Sequence, residues 1–202
     1  FSRRQRQMCI RDRYKNLFNI KNKVSIVTGA GGILGKEFSV ALAENGSHVA
    51  LIDIDQRSID KLSRSLAKKY NIKSKAYTCD VSNENSVKDT VIHIEKDIGK
   101  IDILLNNAAT KTESLKEFFM PLEKYSLDTW KEIMDVNLTG MYIMAKEVGS
   151  RMAKRKKGSI IQMSSIYSSS MAADQRIYKD SKYLETTITV SYTHLTLPTT
   201  EA

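Results

Sequence analysis

The sequence predicts an α/β protein built on a doubly wound parallel sheet. Three observations predict it. Short apolar runs alternate with helix-period stripes from Val24 onward, the links between them are mostly a few residues long, and the first apolar run ends in a cluster of glycines. Strands that alternate with helices over short links pair in parallel, joined by right-handed crossovers. A length of 202 residues suits one domain with a sizeable core.

Val24–Thr28 reads as a buried first strand. Ile33–Glu44 follows with helical spacing, with Phe38 and Leu42 on one face and Gly46 as its terminator. His48–Asp53 is the second strand, and Ile59, Leu62, Leu66 and Tyr70 stripe the second helix. A third strand is expected over Lys75–Cys79, a helix along Val87, Val91, Ile94 and Ile98, and a fourth strand over Ile101–Leu105. A long helix is expected from near Ser126 to about Lys154, bent by Gly140 and Gly149. Ser159–Met163 is the fifth strand, and a last helix begins near Gln175. The irregular stretch Lys111–Tyr125 carries Phe118, Phe119, Met120 and Pro121, an apolar loop placed where ligand sites form or where a satellite core cluster packs.

The two ends lack this order. Residues 1–13 have no periodicity and no cap, and residues 190–202 break a forming helix with β-branched residues and Pro198. Both strings resemble translated adapter read-through, so both are expected to be non-native, leaving 14–189 as the folded unit.

Composition excludes several classes. With 41% hydrophobic and 27% charged residues the chain is not of a disordered type. No apolar run is long enough for a membrane-spanning helix. Cys9 and Cys79 give neither a disulfide framework nor metal-ligand spacing, so no metal is expected and a reducing cytoplasm is the default. The net charge is +9, but Phe1–Arg13 alone holds five arginines against Asp12. Lys154–Lys157 is a basic run that suits a helix C-terminus. No basic–aromatic interleaving accompanies the charge, so a specific nucleic-acid partner is not expected.

The segment Thr28-Gly29-Ala30-Gly31-Gly32-Ile33-Leu34-Gly35 joins the first strand to the first helix. Glycines there let the backbone approach a pyrophosphate, and the helix aims N–H groups at it. Asp53 ends the second strand, the place where a dinucleotide site of this kind carries its acidic residue. A carboxylate there accepts both ribose hydroxyls and repels a 2′-phosphate, which favours NAD(H), with NADP(H) as the alternative. Asp55 reads as a helix N-cap rather than a second ribose ligand. Tyr178 and Lys182 are four apart, on one helix face. A nearby ammonium lowers the pKa of a phenol from about 10 and suits it to proton transfer.

Taken together, these motifs occur in the order of the short-chain dehydrogenase/reductase family, which the chain resembles from Asn22 to Thr189: the Thr28–Gly35 loop, Asp80-Val81, Asn106-Asn107-Ala108-Ala109, Asn137, Ser165, and Tyr178 with Lys182. Ser165 precedes Tyr178 at the family's own spacing. The resemblance implies a single Rossmann-type domain, with the family's final strands and substrate loop lacking a counterpart here. By that resemblance Tyr178 exchanges a proton with the substrate oxygen, Ser165 hydrogen-bonds it, and Lys182 holds the nicotinamide ribose and tunes Tyr178. Asn137 keeps the proton-relay water, and Ser164 is the rival serine. Gly29, Gly31, Gly32, Ile33, Leu34, Gly35, Asp53, Asp80, Val81, Asn107, Ala108, Ala109, Tyr178 and Lys182 would form the cofactor site. Ile33 and Ala109 depart from the family pattern, each standing where glycine is usual.

The resemblance further implies reversible oxidation of a secondary alcohol to a ketone. The Phe118–Leu138 and Ser164–Tyr167 stretches are similar to members acting on sugars or sugar acids, gluconate-5-dehydrogenase-like proteins included. A 3-oxoacyl-thioester reductase and a nucleotide-binding protein without turnover are the alternatives. A homodimer or homotetramer is implied for the full-length protein. Trp130, Ile133, Met134 and Met141 are candidate contacts, unless they face the protein's own sheet. Little or no turnover is expected of the 202-residue chain itself.

Overall fold

The computed structural model describes residues 18–111 and 124–164. Five strands, β1 (Val24–Thr28), β2 (His48–Asp53), β3 (Ser74–Thr78), β4 (Ile103–Asn106) and β5 (Ser159–Gln162), form one sheet in the order β3-β2-β1-β4-β5. All four pairings are parallel. The strand order reverses between β1 and β4, and open parallel sheets place their ligand crevice at that point.

Helices α1 (Ile33–Glu44) and α2 (Gln56–Tyr70) cover one face, where Ala43, Ile59 and Leu66 pack with Val27, Val49 and Leu51. Helices α3 (Glu84–Asp97) and α5 (Met141–Lys154) cover the other. There Val87, Val91, Ile94, Met144 and Val148 meet Ile26, Ile52 and Leu104. Every residue of β1 is buried, which is why its sequence is an apolar run instead of an alternation.

Local chemistry sets the ends. Gly46, at φ 79°, closes α1: its N–H reaches the carbonyl of Ala43, and the Ser47 N–H reaches that of Leu42. That pair of bonds is the Schellman cap expected of a glycine at this position. Asp55 caps α2 by accepting from the N–H groups of Arg57 and Ser58, as its sequence position suggests. Asn83 caps α3, and Ser126 caps α4 (Leu127–Met134).

The long helix differs from its sequence reading. It runs as α4, a π-helical segment over Asp135–Gly140, and then α5. Gly149 sits inside α5 without breaking it, so the irregularity falls at the π segment alone. β4 begins at Ile103 instead of Ile101, and just before it the Asp102 carboxylate accepts the Val24 N–H, 3.2 Å away. Ile133 is buried in the protein's own interior, at 1% exposure. The helix expected near Gln175 and the apolar stretch Phe118–Pro121 lie outside the described residues. Among the described residues no helix is long and apolar enough to cross a membrane.

Candidate active site

A cavity of about 1030 Å³ opens at the C-terminal ends of the strands. It is walled by the glycine loop after β1, by Asp53 and Ile54 after β2, by Cys79–Ser82 after β3, and by Asn107–Lys111 after β4. Glu132, Asp135 and Val136 close it from the α4 side.

The glycine loop is shaped by contact. Gly29 has φ 64°, and a Cβ there would lie 2.8 Å from the Cα of Ala108. A Cβ on Gly35 would strike the Gly29 carbonyl oxygen, so α1 can start this close to the loop only with glycine at 35. Thr28 fastens the loop to the end of β4: its Oγ1 accepts from the N–H groups of Asn107, at 2.9 Å, and Ala108, at 3.0 Å. The Asn107 amide donates back to the Thr28 carbonyl at 3.2 Å. Ile33 and Leu34 stand exposed on the first turn of α1.

The first helix begins differently from α2, α3 and α4. Gly32 is its N-cap, with no side-chain cap bond, and no acidic residue sits in the first turn. Each of those three starts from a side chain that accepts a backbone N–H. An open helix N-terminus at a glycine turn offers N–H groups and a positive dipole end to an anion. Asp53 faces this turn. Its Oδ2 accepts from the Gly31 N–H at 2.8 Å, and its Oδ1 from the Asp55 N–H at 3.0 Å. Each oxygen keeps a lone pair for a further donor. These groups fit a dinucleotide: pyrophosphate at the open turn, ribose hydroxyls at Asp53.

Asp80 holds its own turn by accepting from the backbone and hydroxyl of Ser82, which leaves Val81 as the packed wall residue, 6% exposed. Asn106 ties β4 to β5 through Gln162, at 2.7 Å, and to α5 through the Met141 carbonyl, at 3.1 Å. Asn137 sits in the π segment and grips the main chain of Thr110. Its Oδ1 accepts the Thr110 N–H at 2.6 Å, and its Nδ2 donates to the Thr110 carbonyl at 3.0 Å. Ala108 and Ala109 lie on the cavity wall. Ser164 is exposed just past β5, whereas Ser165, Tyr178 and Lys182 lie outside the described residues. The sequence reading missed Val136 and Asp135 as wall residues, because helix periodicity gives no sign of which face a π turn presents.

An open parallel sheet with this strand order and this first turn defines a Rossmann-type dinucleotide-binding fold. The chain belongs to the short-chain dehydrogenase family, whose pattern matches residues 23–196. It is 38% identical to a sorbose reductase of Candida albicans over 75% of the chain and 52% of that protein. It is 35% identical to a probable NADP-dependent mannitol dehydrogenase of Yarrowia lipolytica over 71% of the chain and 50% of that protein. The solved structure of an NAD⁺-bound xylitol dehydrogenase superposes with a TM-score of 0.73 at 28% identity, covering 87% of this chain and 60% of that one. The chain thus spans about half the length of the curated relatives it matches.

Proposed function

We propose that the protein containing this chain interconverts a secondary alcohol and a ketone, with NAD(H) as cofactor, on a sugar, sugar acid or related polyol. The position of Asp53 carries this reading. Its carboxylate is fixed by two backbone N–H groups at the mouth of the glycine turn, where a 2′-phosphate would meet a negative charge. Relatives named for sorbose, mannitol and xylitol support the polyol class. The NADP-dependent label of the mannitol enzyme keeps NADP(H) as the alternative.

A nicotinamide cofactor held by the glycine turn and Asp53 would supply hydride acceptance in oxidation and hydride donation in reduction. Tyr178 accepts the hydroxyl proton in oxidation and gives it back in reduction. Lys182 lowers the Tyr178 pKa toward working pH and holds the nicotinamide ribose, and Ser165 hydrogen-bonds the reacting oxygen. Asn137 holds the Thr110 wall of the cavity and, by the family resemblance, the proton-relay water. On the same reading the full-length protein is a cytoplasmic homodimer or homotetramer that acts on a small molecule and has no specific nucleic-acid partner.

The test is a turnover assay of the full-length protein on a panel of polyols and their ketoses, with NADH and NADPH compared. Tyr178→Phe should lower turnover by ~10²-fold or more while NADH still binds. Unchanged turnover in that variant would refute the assignment.

A further inference from the structure

The π segment Asp135–Gly140 touches two walls of the cavity at once. At one end Asn137 holds the main chain of Thr110, on the loop after β4. At the other, Gly140 is buried against Val81, on the loop after β3. Both Thr110 and Val81 line the cavity. A Cβ on Gly140 would lie 2.7 Å from Cγ2 of Val81 and 3.3 Å from its Cβ and carbonyl carbon, with the first contact closer than real Cβ atoms come.

The backbone does not need glycine there. Gly140 has φ −60° and ψ −42°, ordinary helical values open to any residue. Alanine at such a position would favour the helix by about 1 kcal/mol. What glycine supplies is the missing side chain, and hence the close seat of the π segment on Val81.

We infer that Gly140 is a positioning residue for the cofactor, and that the π segment is a brace between the loops after β3 and β4. The inference rests on the dinucleotide reading above. β3 lies beside β2, so Val81 borders the end of the cavity that Asp53 marks, the adenosine end. β4 lies on the far side of β1, so Thr110 is on the opposite wall. An α-helix carries one residue fewer in each hydrogen-bonded ring than a π turn. With the extra residue, Asn137 faces Thr110 while Gly140 seats on Val81. A side chain at 140 must push Val81 into the adenosine space or lift the segment off Thr110, and either change alters the width of the cavity.

The experiment uses the full chain in four forms: wild type, Gly140→Ala, Val81→Ala and the double variant. Calorimetric titration with ADP-ribose and ligand-free thermal midpoints are measured for each. Gly140→Ala should weaken ADP-ribose about tenfold, equivalent to ~1.4 kcal/mol. In the Val81→Ala background, where the 2.7 Å clash is gone, the same change should cost less than about twofold. An unchanged Kd for Gly140→Ala, or an equal loss in both backgrounds, overturns the inference. If the wild type takes no ADP-ribose, the dinucleotide reading fails, and the brace is judged on the midpoints alone. It then requires Gly140→Ala to lower the midpoint against helix propensity and to raise it in the Val81→Ala background. A rise in both backgrounds overturns it.

Discussion

His48 opens β2, and its Nδ1 accepts the Lys73 N–H at 3.1 Å. Burial first, and then the positive charge of Lys73, hold the His48 pKa below its ordinary value of 6.5. The folded protein therefore prefers the neutral ring, and the unfolded chain takes the proton first as pH falls. The stability this gives is present above the ordinary value and is lost as pH drops through the lower folded one. Thermal midpoints measured from pH 7 to pH 5 should show that loss. His48→Asn, which keeps an acceptor for the Lys73 N–H, should flatten it, and an equal slope in both proteins would contradict the account. Two residues at the other end of the same strand divide their work in a comparable way. Asp53 turns both oxygens toward the glycine turn and the strand end, while Asp55 spends its carboxylate capping α2.

At the level of elements, the π segment joins the loops after β3 and β4. Asn137 forms a two-bond clamp on Thr110, and Asn137→Ala would leave that backbone pair without its side-chain partner. The expected cost is ~1–3 kcal/mol of stability, with faster hydrogen exchange at the Thr110 amide. Full protection of that amide in the variant would show that the clamp does not hold the wall. This segment also marks where the sequence stopped being legible. Strands β1 and β2 could be read to the residue, because buried parallel strands are apolar runs with sharp polar ends. The caps at Gly46 and Asp55 were legible because their chemistry is local. The π turn was not, since an inserted residue changes the facing of a helix without changing its composition. Gly140 looked like a bend, yet its importance lies in a contact with Val81, which belongs to a different loop far back along the chain. Ser165, Tyr178 and Lys182 rest on a spacing pattern shared with the family and lie outside the described residues.

At the scale of the whole molecule, parallel strands send every strand-to-helix loop to one end of the sheet, so residues as distant as Gly29, Asp53, Val81 and Thr110 wall one cavity. Two cores, one on each face, hold that arrangement from both sides. The glycine turn and Asp53 lie within the described residues, so cofactor choice can be tested on this chain independently of turnover. The proposed preference for NAD(H) rests on Asp53. The direct measurement is a titration of the chain and its Asp53→Ala variant with NADH and NADPH. The wild type should bind NADH at least ~10-fold more tightly than NADPH, a difference of ~1.4 kcal/mol, and Asp53→Ala should remove this preference by weakening NADH. A wild type that prefers NADPH, or a variant that keeps the NADH preference intact, would contradict it.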